Sequence, residues 1–219
     1  MISRLERILS LVKENPVEFR RFSRDKQQPN PEARVASISN ILSEISLPGN
    51  STVVDIGTGY GYGAVLLNAL GYNVIGLEIN GDKLDEGMRY WARLGIEFRE
   101  ISEASEAVKT KGRLYLLKRD SRNLDDFPAL SVGMVTAFYI STYMLGRDGA
   151  FVGVNRILKP DGSLTITTEG PTFVPSLFRG LIVRKAGRFF VPNLKLAKAF
   201  DIDGPQVYDR CVLIYEKAA

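Results

Sequence analysis

The chain of 219 residues contains no histidine. A Ser-His-Asp triad, a histidine general base and any histidine-ligated zinc or iron site are therefore excluded before a motif is sought. A single cysteine, Cys211, leaves no internal disulfide to form, and its place in the apolar run CVLIY reads as a buried strand position rather than a nucleophile. No uninterrupted run of about 18 apolar residues is present. The opening MISRLERILSLVKENP carries charges throughout instead of the apolar centre of a secretory leader. The expectation is a cytoplasmic protein with no membrane span and no metal.

What is present is an ordinary core composition, 45% hydrophobic, with a net charge of +4. The length suits one α/β domain with some decoration. A mild basic balance would favour an anionic partner but also occurs in proteins that bind none.

After residue 50, short β-rich runs alternate with helical segments, the pattern of a parallel sheet covered by helices. STVVDI (51–56) reads as the first strand and YGAVLLNALG (62–71) as its helix. NVIGLEI (73–79) is the second strand, followed by a helix over 82–95 capped by Asn80 or Asp82. RLYLLKRD (113–120) is more apolar than IEFREIS (96–102) and is preferred as the third strand, which leaves 97–111 as a polar helical insertion. VGMVTAFYI (132–140) is the fourth strand, GAFVGVNRILK (149–159) a helix ended by Pro160, and SLTITTE (163–169) the fifth strand. AFDIDGPQVYDRCVLIYEK closes as a hairpin turning at Asp203-Gly204-Pro205. The expected fold is a doubly wound, mostly parallel seven-stranded sheet with helices on both faces and a terminal antiparallel strand, over residues 50–219. Residues 1–49 differ in kind: Leu5, Ile8, Leu9 and Val12, then Val35, Ile38, Ile41 and Leu42, recur at helical spacing and predict an appended helical cap within the same domain.

The stretch VVDIGTGYGYG runs from a strand into a loop with glycine at 57, 59, 61 and 63. A parallel strand that turns sharply into a helix brings backbone N–H groups to the carboxyl edge of the sheet, where ligands of such folds bind. Glycines let backbone approach ligand, and a plain turn would need only one or two of them. The dinucleotide fingerprint G-x-G-x-x-G fails when started at Gly57, because Tyr62 stands where glycine or alanine is wanted, and passes formally when started at Gly59. The Gly59 register, however, puts the acid Asp55 where the dinucleotide fold has an apolar residue.

An apolar strand, an acid and then G-x-G-x-G resembles the first motif of class I S-adenosylmethionine-dependent methyltransferases. The resemblance places Asp55 at the acid and Gly57, Gly59 and Gly61 at the glycines, with Thr58 between them. It implies S-adenosyl-L-methionine as cofactor, its ammonium group held near Asp55, commonly through water. Glu78 ends the second strand 21 residues after Gly57. It resembles the acid that accepts both ribose hydroxyls, a task for a carboxylate because it can take two hydrogen bonds at once. Ile79 would pack on the adenine face. Asp120 and Ser121 resemble the acid and small residue at the adenine amino group, with Leu124 on the same side. RILKPDGSLTI resembles the architectural turn before the family's fifth strand, with Asp161 in place of one glycine.

Methyl transfer from a sulfonium is an in-line displacement in which the protein mainly aligns the acceptor. With no histidine, any base must be a carboxylate, a tyrosinate, a water or the substrate itself. AFYIST (137–142) lacks the prolines of the N/D-P-P-Y/F/W motif of enzymes that methylate nucleic-acid amino groups, which disfavours that route. Tyr139 and Tyr143 could orient an acceptor, Glu169 could accept a proton and Phe138 could line the cofactor pocket. Residues 170–200 carry Arg179, Arg184, Lys185, Arg188, Lys195 and Lys198 among phenylalanines, with no acid. That stretch reads either as an RNA or anionic-lipid surface or as an amphipathic helix with a solvated basic face. A second basic cluster, Arg20, Arg21, Arg24 and Lys26, lies in the cap. PEARVASISNILSEI and MVTAF resemble the protein isoaspartate methyltransferases, yet FSRDKQQPN lacks their G-x-x-[IV]-S substrate loop, so the family carries over and that activity does not. The acceptor stays open among RNA, protein and a small anionic molecule. Two other readings remain: an NAD-dependent oxidoreductase, and a non-catalytic cofactor-binding subunit that docks a partner.

Overall fold

The computed structural model describes residues 4–14, 40–41, 44, 47–49, 51–108, 110, 112–140, 153–169, 194–202 and 210–217. Among them, strands β1 (Thr52–Ile56), β2 (Asn73–Glu78), β3 (Arg99–Glu100), β4 (Leu114–Lys118), β5 (Val132–Ile140), β6 (Leu158–Glu169), β7 (Leu194–Ile202) and β8 (Arg210–Lys217) form one sheet. Its order is β3-β4-β2-β1-β5-β6-β8-β7. Every pairing from β3 to β6 is parallel, and β8 runs antiparallel to both β6 and β7. Seven strands follow the expected arrangement, with β8 as the antiparallel strand, and the two-residue β3 extends one edge. Helices α1 (Arg4–Glu14), α2 (Tyr62–Ala69), α3 (Gly81–Arg93), α4 (Ala104–Val108) and α5 (Val154–Ile157) accompany it.

The parallel strands are buried on both faces, so they read as continuous apolar runs whose alternate residues feed two cores. Val54, Ile56, Ile75, Leu77, Val135 and Ala137 enter one core with α4 and α5. Val53, Val74, Leu116, Met134 and Phe138 enter the other, with α1, α2 and α3. The same alternation assigns Asp55, Glu78 and Thr136 to the second face. Of the cap, α1 lays Ile8 into that core, and Ile41 is buried there too. The remainder of the expected second cap helix and the basic cluster 20–26 lie outside the described residues.

Four expectations are adjusted. The stretch 97–111 is not one helical insertion: Arg99 and Glu100 pair in register with Tyr115 and Leu116, and only Ala104–Val108 is helical. The helix expected over 149–159 contains α5 from Val154, but the chain is extended from Leu158 onward. Val132 pairs with Leu158 and Met134 with Ser163, so Lys159-Pro160-Asp161-Gly162 is an outward bulge, which accommodates a proline without a ladder N–H. Lys195 and Lys198 lie on β7, so the basic region is not helical to residue 200; residues 170–193 lie outside the described residues, as does the expected turn at 203–205. Leu124 is buried in the first core rather than lining a ligand site. Arg156 fixes this corner by donating from Nη1 to the Phe127 carbonyl (2.8 Å) and from Nη2 to the Leu124 carbonyl (2.5 Å).

Candidate functional site

The carboxyl ends of β1 and β2 lie side by side, with Asp55 opposite Gly76 and Ile56 opposite Leu77. The chain leaves β1 through Gly57, Gly59 and Gly61, all with positive φ (66°, 61° and 81°), a backbone that side-chain-bearing residues rarely adopt. Gly61 is the N-cap of α2. The loop is stitched to the strands beneath it. The Thr58 N–H donates to the Leu77 carbonyl at 2.9 Å, and the Gly61 N–H to the Thr58 carbonyl at 2.9 Å.

Asp55 and Glu78 both bond to this loop, in different ways. Asp55 is buried beneath it, with Oδ2 accepting from the Thr58 hydroxyl and Oδ1 from the Thr136 hydroxyl, each at 2.7 Å. It therefore grips Thr58 from below and faces no solvent in this structure. Glu78 closes the other side: Oε2 accepts the Gly59 N–H at 2.9 Å and Oε1 the Asn80 N–H at 2.8 Å. Asn80 in turn caps α3, its side chain accepting from the Lys83 N–H at 3.1 Å. Each oxygen of Glu78 keeps a further lone pair for a hydroxyl donor.

Above the loop the space is open. A Cβ placed on Gly59 would come no closer than 4.0 Å to any heavy atom beyond its chain neighbours, and that nearest atom is the Gly57 carbonyl oxygen. Beside it Ile79 is 68% exposed, which is unusual for so large an apolar side chain at a strand end and leaves it available to a flat ligand. An open glycine backbone, a paired acid with spare lone pairs and a bare apolar side chain together fit a nucleoside with free ribose hydroxyls.

The carboxyl end of β4 adjoins the same edge, because the Arg119 N–H donates to the Glu78 carbonyl at 2.9 Å. Asp120 and Ser121 follow directly. Asp120 is bound by Arg122, accepting from its backbone N–H at 2.9 Å, from Nε at 2.8 Å and also from Nη2. The Arg122 side chain and backbone hold the Asp120 carboxyl below its ordinary pKa. Arg119 is turned away, paired with Asp126 and donating to the Ser102 carbonyl at 2.9 Å.

Phe138 is buried on the Asp55 face, with its ring 3.3 Å from where a Cβ on Gly63 would stand and Asp55 Oδ2 3.1 Å from the same point. Gly63 thus packs closely against side chains of β1 and β5, which would have to give way to a Cβ there. Tyr139 and Glu169 have described backbone in β5 and β6, but their side chains lie outside the described residues, as does Tyr143 entirely. Among the described residues no cluster of acids or cysteine could hold a metal ion, and no helix is long and apolar enough to cross a membrane.

Sequence reading did not single out Thr136, Gly87, Trp91 or Arg122. Gly87 did leave a signal: a glycine inside the amphipathic helix DKLDEGMRYWAR costs about 1 kcal/mol against alanine, so it marks a close approach.

The methyltransferase-domain family matches residues 54–166, which span β1 through most of β6. No curated protein matches the chain in sequence. Among solved structures, the chain is similar to an S-adenosylmethionine-dependent methyltransferase from Aquifex aeolicus (16% identity, 84% of this chain and 97% of that one, TM-score 0.54). It is similar to the PH0226 protein from Pyrococcus horikoshii (14% identity, 88% and 93%, TM-score 0.59). It also resembles geranyl diphosphate C-methyltransferase from Streptomyces coelicolor, solved with S-adenosylhomocysteine (15% identity, 84% and 76%, TM-score 0.55). At these identities the structures speak to the fold.

Proposed function

We propose, from the premise that the chain belongs to the methyltransferase-domain family, that this S-adenosyl-L-methionine-dependent enzyme seats its cofactor on the Gly57–Gly61 loop and methylates an anionic acceptor. The observation that carries the seating is the Glu78 carboxylate accepting the Gly59 N–H at 2.9 Å beside the exposed Ile79. Glu78 would take the ribose hydroxyls, Ile79 would cover an adenine face, and Asp120 with Ser121 would meet its amino edge. The backbone of Gly57, Thr58, Gly59 and Gly61 would lie against the methionine and ribose portion. Asp55 contributes negative charge from beneath the loop and holds Thr58 in place, and Phe138 closes the pocket wall. The bound cofactor supplies a methyl group already activated as a sulfonium substituent, so the chain's residues need only hold the acceptor in line and exclude water.

Tyr139, Tyr143 and Glu169 are the candidates for orienting the acceptor and taking its proton. Tyr139 and Glu169 stand in the last residues of β5 and β6, whose carboxyl ends lie on the same edge of the sheet as the loop, and Tyr143 follows β5 in sequence. The anionic preference rests on the basic residues of 170–200 and 20–26. The acceptor is tested by labelled methyl transfer into separated RNA, protein and small-molecule fractions. Incorporation into one fraction, absent with Glu78→Ala, supports the proposal; no incorporation above background into any fraction contradicts it.

A further inference from the structure

Three positive-φ glycines leave the Gly57–Gly61 loop few side chains of its own to hold it, yet a ligand cradle that had to be ordered on binding would lose affinity to that ordering. Something outside the loop must hold it. Thr58 is fixed by Asp55 and Leu77, and Gly59 by Glu78. The Glu78 tie is the one whose acceptor oxygens ribose hydroxyls would share.

Tyr60, between the last two of these glycines, is held from α3. Its carbonyl accepts the indole N–H of Trp91 at 2.7 Å. One turn earlier on α3, Gly87 lies so close that a Cβ there would stand 2.3 Å from the same carbonyl oxygen. Helix backbone and loop backbone therefore meet directly, and only glycine permits it. The indole is only 1% exposed, lies nearly parallel to Tyr62 (centroids 6.0 Å apart, 18°) and takes Tyr90 edge-on (4.9 Å, 71°). Its Nε1 lies 3.6 Å from where a Cβ on Gly61 would stand. A ring fixed on several sides is a rigid donor.

We infer that Trp91, admitted by Gly87, is a positioning residue for the cofactor: it fixes the glycine loop from behind, so the cradle stays formed while Glu78 turns its lone pairs to the ligand. This rests on the cofactor seating proposed above. The role is that of an anchor which does not touch the ligand and has no part in the chemistry.

The test is calorimetric titration of S-adenosylhomocysteine into the full chain, into Trp91→Phe and into Glu78→Ala, well below the unfolding temperature of each. Phenylalanine keeps most of the ring and removes the donor. Loss of that hydrogen bond should weaken binding about tenfold in Trp91→Phe while it still unfolds cooperatively. A residue serving stability alone would lower the unfolding temperature and leave Kd unchanged, and that outcome overturns the inference. Trp91 is the one tryptophan of the sequence, so its emission reports on the loop in the unaltered chain. A fixed anchor in a preformed cradle predicts emission shielded from an added quencher both without ligand and at saturation; emission open to quencher in the free chain and shielded only with ligand overturns the inference even if the variant fails to fold. No binding by the unaltered chain, or full affinity in Glu78→Ala, would instead overturn the seating on which the inference stands. Weakened Glu78→Ala beside unweakened Trp91→Phe would overturn the inference and leave the seating intact.

Discussion

Asp120 and Arg122 show how one residue conditions another at the site's edge. Arg122 stabilises the ionised carboxylate, so Asp120 titrates lower in the folded chain than in the unfolded one. The pair adds stability above the unfolded-state pKa and loses it as pH falls through the folded-state value. Arg122→Ala should raise the Asp120 titration towards the ordinary carboxylate range without reaching it, since the backbone N–H of residue 122 still donates, read by carboxyl NMR; an unmoved midpoint would mean that the Arg122 side chain is not the cause. The sequence marked Asp120 by its place after an apolar strand, but Arg122 two residues on looked like any surface cation. Asp55 was likewise marked by its neighbours, while its partner Thr136 lies 81 residues away and depends on β1 pairing with β5. Acids inside short local motifs are legible; the hydroxyls that orient them are set by the sheet.

At the scale of elements, α3 links the sheet to the site through its cap and its packing. Asn80 was expected as one of two possible caps because it precedes the amphipathic run, and its side chain does cap the helix. The crossing of α3 over the glycine loop was illegible, since nothing local tells a helix which backbone it will touch. Gly87→Ala would push a methyl group into the Tyr60 carbonyl and should cost about 1–3 kcal/mol, seen as a lower denaturant midpoint with unchanged slope. A midpoint equal to the parent's would show that loop and helix part without strain. Other elements were misjudged for similar reasons. IEFREIS has strand alternation but lost to the more apolar RLYLLKRD, and only its two exposed polar residues Arg99 and Glu100 pair with β4. Leu124 was placed by the family resemblance on the side of Asp120 and Ser121, whereas it is buried in the first core, closely approached by Gly153, where a Cβ would stand 3.0 Å from the Leu124 Cβ.

Across the whole molecule, strand alternation and parallel pairing do most of the placing. Alternation assigns Asp55, Glu78 and Thr136 to one face, and parallel pairing aligns the carboxyl ends of their strands on one edge. Those are consequences of sequence period and of the helices that follow β1 and β2, which is why the doubly wound sheet was legible from the chain alone. The central claim is that this edge holds an S-adenosyl nucleoside through Glu78. It is tested most directly by calorimetric titration of S-adenosylhomocysteine into the chain and its Glu78→Ala variant. Saturable binding at one site, weakened at least about tenfold by a substitution that removes a carboxylate bonded to ligand hydroxyls, is the predicted result. No saturable binding, or equal affinity in the two proteins, would contradict it.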